Sequence, residues 1–321
     1  MKEIIRKRLL GDSNLQKRNI LVFGLMTMFL LSMFSSATVV SADESLQDVK
    51  DAGKIIIGTE AGYAPFETKN PTTNELEGFD VDIANIIADE IGVTIEWQDK
   101  GFDTLIPSLA GGQFDCVIAA MTITPEREEQ VDFSRWYFAS EQAILVKVGN
   151  TKTANITKVT DLNQTAITIG VQQGTTSDLY VQDELTQVPS DNLKTFNTIT
   201  LAIQALKQGS VDVVLGDHAT LLYGIKGDEE YSVVGTFSAE KFGIAVKTGA
   251  TTLLAKINEV LNNLLGDNLT NPEPNKQYND LYLKYFEVDA VGYETGNTPG
   301  FEFLSVFSLL VAVPIIRKLR K

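Results

Sequence analysis

The chain has 321 residues, 44% of them hydrophobic, which is enough for one large domain or two ordinary ones, and it carries a formal net charge of −15. So acidic a balance excludes nucleic acid as a partner, because phosphates demand a basic surface. The single cysteine, Cys116, and the single histidine, His218, exclude a disulfide framework within the chain and most metal sites, and argue against a Ser-His-Asp triad; neither metal nor cofactor is expected.

In chain order, Lys17-Arg18 precede an apolar run over residues 20–34, and Val40-Ser41-Ala42 supplies small residues behind it. This pattern predicts a secretory signal peptide over residues 1–42, cleaved before Asp43, with an uncleaved anchor as the alternative. The run is short against the roughly 20 residues of a membrane span. Lys54–Thr59, KIIIGT, predicts a first strand, ending in a loop that carries Glu60, Tyr63 and Phe66 at its mouth. Val81, Ile83, Ile86, Ile87 and Ile91 lie on one helical face, Gly92 stops that helix, and residues 93–97 predict a second strand. Phe102 then precedes a helix over TLIPSLAGG.

Residues 116–120, Cys-Val-Ile-Ala-Ala, have the length and apolar content of a buried strand, in which Cys116 is a small core residue. Thr122, Thr124 and Pro125 end it, and Glu126-Arg127-Glu128-Glu129 predicts a charged helical turn. The alternation of strand and helix is that of a doubly wound α/β lobe, whose ligands sit beyond the carboxyl ends of the strands. There Ala120 leaves the backbone approachable, Thr122 offers a hydroxyl, and Arg127 offers a planar five-donor fork suited to a carboxylate. On spacing alone Arg127 also reads as a surface residue paired with Glu126 or Glu128.

The rhythm returns after about residue 147. Residues 166–171, AITIGV, predict a strand that ends in Gln172-Gln173-Gly174-Thr175-Thr176-Ser177-Asp178. Backbone amides and hydroxyls at the following helix N-terminus form an anion site, although an ordinary turn with a Thr or Ser cap explains the same residues. There is one internal echo: residues 105–121 and 201–217 both run apolar helix, glycine, aspartate, buried strand, loop. Two such units would face equivalent strand ends, one bearing Arg127 and Thr122, the other Asp217 and the Gly-Thr-Thr turn. The α-carboxylate and α-ammonium of an amino acid would then each meet the opposite charge. Strands are predicted over 233–236 and 242–246, a helix over 253–266, and a last core-packed helix over 278–286. An apolar segment, residues 301–316, followed by Arg317-Lys318-Leu319-Arg320-Lys321 suggests membrane attachment or a processed sorting tail. Asn155, Asn163 and Asn268 stand in glycosylation triplets.

At these residues the chain resembles the extracellular solute-binding proteins of family 3, the receptors of polar amino acid ABC transporters. The resemblance spans residues 54–286 and rests on GTEAGYAPFE, GFDVDIANIIADEIG, FDTLIPSLAGGQFDCVIAAMTITPERE, VDFSRWY, VQQGTTSD and VDVVLGD in that order. It implies a two-lobed α/β, periplasmic-binding-protein-like fold of type II with two hinge crossovers. Lobe 1 would comprise residues 43–146 plus 238–290 and lobe 2 residues 147–237, with residues 291–321 as linker and sorting or membrane segment. It further implies that Arg127 holds the α-carboxylate, helped by Thr122, the Ala120 amide and Thr176, and that Asp217 holds the α-ammonium. Tyr63 and Phe102 would sandwich the side chain, and Glu60 and Gln172 would read its polar end. The implied partners are an amino acid, a membrane permease and its ATPase, for a monomeric protein. Pro299-Gly300-Phe301 resembles the start of the archaeal tripartite sorting signal, which implies archaeosortase cleavage, a lipid anchor and an extracellular, cell-surface location.

Two departures from the family pattern stand out: Ala120 replaces a glycine or serine, and residues 266–280 are long and rich in Pro and Asn. Two other function classes share this fold. A prephenate- or arogenate-dehydratase-like enzyme would need Glu60 or Asp217 as an acid, and a ligand-sensing ectodomain would need an output domain. The buried carboxylate expected at Glu60 favours a basic amino acid or glutamine over acidic and aliphatic ones.

Overall fold

The computed structural model describes residues 43–270 and 272–286; the expected signal peptide and the expected linker and sorting segment lie outside the described residues. The chain opens with α1 (Ser45–Ala52), β1 (Lys54–Thr59), and three short strands, β2 (Gly62–Tyr63), β3 (Glu67–Lys69) and β4 (Leu76–Glu77). There follow α2 (Phe79–Ile91), β5 (Thr94–Asp99), α3 (Phe102–Ala110), β6 (Cys116–Val117), α4 (Pro125–Glu128), β7 (Val131–Phe133) and β8 (Phe138–Lys147). The next stretch holds β9 (Ile169–Gln172), α5 (Thr176–Glu184), β10 (Leu193–Phe196), α6 (Ile199–Lys207), β11 (Val213–Asp217), α7 (His218–Gly224) and β12 (Tyr231–Phe242). The chain closes with β13 (Ala245–Lys247), α8 (Thr251–Leu265) and α9 (Lys276–Phe286).

Two five-stranded sheets result, ordered β5-β1-β6-β13-β7 and β10-β9-β11-β8-β12. In each, three strands are parallel, as the alternating strand and helix pattern dictates, and the other two belong to the connections between sheets. The chain crosses from the first sheet to the second between β7 and β8, and returns between β12 and β13. This is the two-lobed α/β architecture with two crossovers that the sequence leads one to expect.

The crossovers themselves differ from expectation. Separate strands over 233–236 and 242–246 are in fact one long strand, β12, a break at Gly243-Ile244, and then β13. The polar residues between Ser238 and Lys241 stay extended because β8 pairs with them, Glu240 opposite Ser140 and Phe242 opposite Phe138. A bulge at Ser238, which has a positive φ of 47°, bends the ribbon there. β6 is also shorter than the apolar run suggests, since Ala120 turns into the left-handed region at φ 45°.

The core below the crossovers is aromatic. Phe138 and Phe242, the ends of β8 and β12 nearest the first sheet, stack at 5.7 Å, and the Phe66 ring meets Phe138 edge-on at 4.9 Å. α9 lays Tyr278, Tyr282 and Phe286 onto this cluster, as core packing of the tail predicts, and the Tyr278 hydroxyl donates to the Tyr137 carbonyl at 2.7 Å. Gly78 starts α2 at φ 145°, where a Cβ would lie 2.0 Å from the Phe66 carbonyl oxygen, so only glycine fits. Cys116 is buried in the first sheet, as expected of a small core residue. Among the described residues no group of side chains could hold a metal ion, and no helix is long and apolar enough to cross a membrane.

Candidate functional site

Arg127 owes its position to α4. Thr124 caps that helix, its hydroxyl accepting the Arg127 amide at 3.3 Å, and Pro125 occupies the first turn, where its missing N–H costs nothing. The side chain is buried, not paired on the surface with Glu126 or Glu128. Its Nη1 donates to the Thr122 carbonyl at 2.7 Å, its Nη2 donates to the Gly174 carbonyl at 3.2 Å, and its guanidinium lies over the Phe102 ring at 5.2 Å. Gly174 belongs to the turn after β9, so Arg127 reaches from the first lobe to the second. A Cβ at Gly174 would fall 2.9 Å from the Asp103 Cβ, and only glycine lets this turn meet the start of α3 so closely.

Asp217 ends β11 in the second lobe. Its Oδ2 accepts the Tyr63 hydroxyl at 2.5 Å, and its Oδ1 accepts Ser140 Oγ at 2.9 Å and Gln142 Nε2 at 3.1 Å. Gln142 Nε2 also donates to Glu240 Oε2 at 3.0 Å, Thr122 Oγ1 donates to the same oxygen at 2.6 Å, and Gln142 Oε1 accepts the Ser177 hydroxyl. Tyr63, Phe102, Ala120, Thr122, Arg127, Thr176 and Asp217 line one small pocket that is partly open to solvent, together with Ala119 and Thr175. Glu60 and Gln172 lie outside that lining and meet each other: Gln172 Nε2 donates to Glu60 Oε2 at 3.1 Å across the lobes.

Three assignments change in detail. The Ala120 amide donates to Asp80 Oδ2 at 2.7 Å, so it is already committed and does not face a ligand carboxylate as a donor. Thr122 has likewise given its hydroxyl proton to Glu240. Phe102 stacks on Arg127, and Tyr63 is tied through its hydroxyl to Asp217, so both aromatics support charged groups rather than merely flanking a side chain. The helix after Gly174 is capped by Thr175, whose hydroxyl accepts the Asp178 amide at 3.4 Å, while Asp178 Oδ2 takes the Gly174 amide at 2.9 Å. The turn is therefore an ordinary capped one as well as a pocket wall.

The sequence reading missed Ser140, Gln142 and Glu240 on the crossover strands, Ser177 beside them, and Asp80 beneath Ala120. Ser140 and Gln142 left a usable signal: they alternate with Ala139 and Glu141 in β8, and the polar members point inward.

The electrostatics are those of a site built around charge. Burial raises Asp217 to about 8, with the Glu240 charge adding to the effect and the Tyr63, Ser140 and Gln142 bonds opposing it. Burial raises Glu60 to about 7 against the Gln172 hydrogen bond. Arg127 is pulled below its ordinary value by burial, while the charges of Glu240 and Asp217 hold it up. Behind the pocket floor, burial lifts Asp80 to about 6 despite bonds from the Ala120 amide and the Tyr137 hydroxyl. Its buried neighbour Glu67 is pushed well above the carboxylate range by burial and by the Asp80 charge, and keeps its proton.

A cleft between two α/β lobes, with an arginine from one and an aspartate from the other meeting in a single pocket, defines a two-lobed binding protein. The chain belongs to the bacterial extracellular solute-binding proteins, family 3, whose family model matches residues 55–288. It is similar to the ABC transporter glutamine-binding protein GlnH of Bacillus subtilis (strain 168), 34% identical over 254 residues, covering 78% of this chain and 87% of that protein. Among solved structures it resembles an ancestral arginine-binding protein bound to glutamine, with TM-score 0.65 and 40% identity, covering 73% of this chain and 98% of that one. It also resembles the ancestral amino acid-binding protein AncCDT-1, a precursor of cyclohexadienyl dehydratase, with TM-score 0.67 and 34% identity, covering 75% of this chain and 99% of that one.

Proposed function

We propose that this protein is the extracellular substrate-binding component of an ABC importer for a polar amino acid, a basic amino acid or glutamine. The observation that carries the reading is the meeting of buried Arg127 and buried Asp217 in one pocket, each from a different lobe. Arg127 holds the α-carboxylate and Asp217 the α-ammonium. Thr122 turns an acceptor toward the ammonium, because its proton is spent on Glu240, and Thr176 stands at the carboxylate end. Tyr63 and Phe102 wall the pocket, and Glu60 with Gln172 receives the polar end of the side chain. Lobe 1 is residues 43–146 with 238–290 and lobe 2 is residues 147–237. A thermal-shift screen of the twenty common amino acids tests the reading, since a ligand bound only by the folded state raises its stability. A basic amino acid or glutamine should give the largest rise, and no rise with any of them would reject the proposal.

Glu60→Gln separates the candidate ligands. Loss of the distal charge should weaken L-arginine or L-lysine by about tenfold or more while changing L-glutamine by less than about threefold. Titration calorimetry of both ligands against both proteins reads the difference. Equal losses would place Glu60 away from the side chain.

The binding reading assigns no chemistry to the ligand, although a Glu60 carboxyl that ionises at about 7 could act as an acid, and one structural neighbour is a precursor of a dehydratase. Incubation with prephenate and arogenate distinguishes the two: product formation would support the enzyme. The site acts outside the membrane, on a monomer that delivers its ligand to a permease and its ATPase. The mature protein begins near Asp43, and the segment that starts at Pro299-Gly300-Phe301 is a sorting signal that leaves it anchored at the cell surface. Mass spectrometry of protein from its native cell should find neither residues 1–42 nor the basic peptide after Ile316.

A further inference from the structure

Glu240 has no place in the clamp just described, yet it is buried and central. It stands on β12, the returning crossover, opposite Ser140 in the register of the two strands. Its Oε2 accepts two hydrogen bonds, from Thr122 Oγ1 at 2.6 Å and from Gln142 Nε2 at 3.0 Å. The Gln142 amide cannot turn over, because its Nε2 also serves Asp217 and its Oε1 accepts Ser177. Position 240 therefore faces a fixed N–H donor and must present an acceptor. A hydroxyl has one proton and two lone pairs. With its proton held by Glu240, the Thr122 hydroxyl has only lone pairs to offer the pocket it lines. Tyr63, Ser140 and Gln142 likewise give their protons to Asp217. Around Asp217 and Thr122 the pocket wall consequently presents acceptors to a ligand.

We infer that Glu240 is a positioning residue for specificity: it fixes Thr122 as an acceptor and so makes the clamp demand an ammonium group at the α-position. The inference rests on the amino-acid reading above and deepens it. An ammonium has three protons to give, so it can satisfy Asp217 and Thr122 together. The hydroxyl of a 2-hydroxy acid has one and must leave an acceptor unmet, and a site built around such bonds rejects the analogue that lacks the donor. Without an acceptor at position 240 the Thr122 hydroxyl is free to turn its proton into the pocket, where it can bond a ligand hydroxyl oxygen.

The test uses L-arginine and its 2-hydroxy analogue, titrated calorimetrically against the wild-type protein, Glu240→Gln and Glu240→Ala. Glu240→Gln keeps an oxygen that can accept from both Thr122 and Gln142, so it should retain the preference for the amino acid to within about threefold. Glu240→Ala frees Thr122 and should lower the preference by about tenfold or more, chiefly through tighter relative binding of the hydroxy acid. Thr122→Val, which has no hydroxyl to orient, should make a further Glu240→Ala change nearly silent in that ratio. A purely structural role would weaken both ligands alike and leave the ratio unmoved. Unchanged selectivity in Glu240→Ala, with wild-type binding intact, overturns the inference alone; absence of arginine and glutamine binding by the wild-type protein removes the functional reading, and the inference with it.

Discussion

Arg127→Ala should bind its amino acid at least about a hundredfold more weakly, a loss of roughly 3 kcal/mol. The size follows from what is left behind. The guanidinium is buried and held at two points, the Thr122 and Gly174 carbonyls, with the Phe102 ring beneath it. A ligand carboxylate arriving there finds an aimed, already desolvated donor, and without it the carboxylate would be enclosed and uncompensated. Arg127→Lys should recover little, because a single ammonium cannot reproduce a planar fork that reaches both carbonyls and a carboxylate. Calorimetry measures the affinity, and denaturant unfolding of the ligand-free variant separates lost binding from lost fold. Affinity within threefold of wild type would exclude Arg127 from the carboxylate site.

The second large effect is on pH. Glu60 ionises at about 7 and Asp217 at about 8, in both cases first because of burial. Below those values the ligand-free protein holds the two protons, whereas a cationic amino acid needs both carboxylates. Binding must then expel protons, and affinity falls by up to about tenfold per pH unit for each proton displaced. Between pH 8.5 and pH 6 the Kd for L-arginine is expected to rise by about a hundredfold or more. Glutamine, which has no side-chain charge to place against Glu60, should fall off less steeply. Stability of the ligand-free protein runs the opposite way. Both folded-state values lie above the usual carboxylate range, so the folded state binds these protons more tightly than the unfolded chain. The stability they contribute is complete below about pH 4 and is lost as pH rises through about 7 for Glu60 and about 8 for Asp217. The melting temperature without ligand should therefore decline from pH 5 to pH 9, while the rise produced by L-arginine grows. An affinity flat across this range would show that the two carboxyls are not displaced by the ligand.

How much of the site could be read before the structure depended on where each residue stood. Arg127, Thr122 and Asp217 follow buried apolar strands, and the end of such a strand is a place that sequence marks. Glu240 sits inside β12, a long strand whose partner β8 lies about a hundred positions earlier, and such a pairing leaves no local mark, whereas Ser140 and Gln142 show only the alternation of β8. The same absence split β12 into two expected strands. Ala120 was legible as a small residue in the right place. Its positive φ, and the loss of its amide to Asp80, depend on a helix start forty residues earlier. Asp80 itself reads only as an acidic residue in the first turn of α2, a favourable place for a negative charge on any helix.

The helix α9 gives the molecule a mechanical polarity. Tyr278, Tyr282 and Phe286 are set into the aromatic cluster, Lys284 and Tyr285 both bond Asp82 at 2.7 Å, and every one of these fastenings is to the first lobe or to the crossover ends beside it. A pull applied at Phe286 enters that lobe and not the other. For a protein held through that helix, the lobe bearing Arg127 is the fixed half, and β8 and β12 are the strands by which the lobe bearing Asp217 hangs from it.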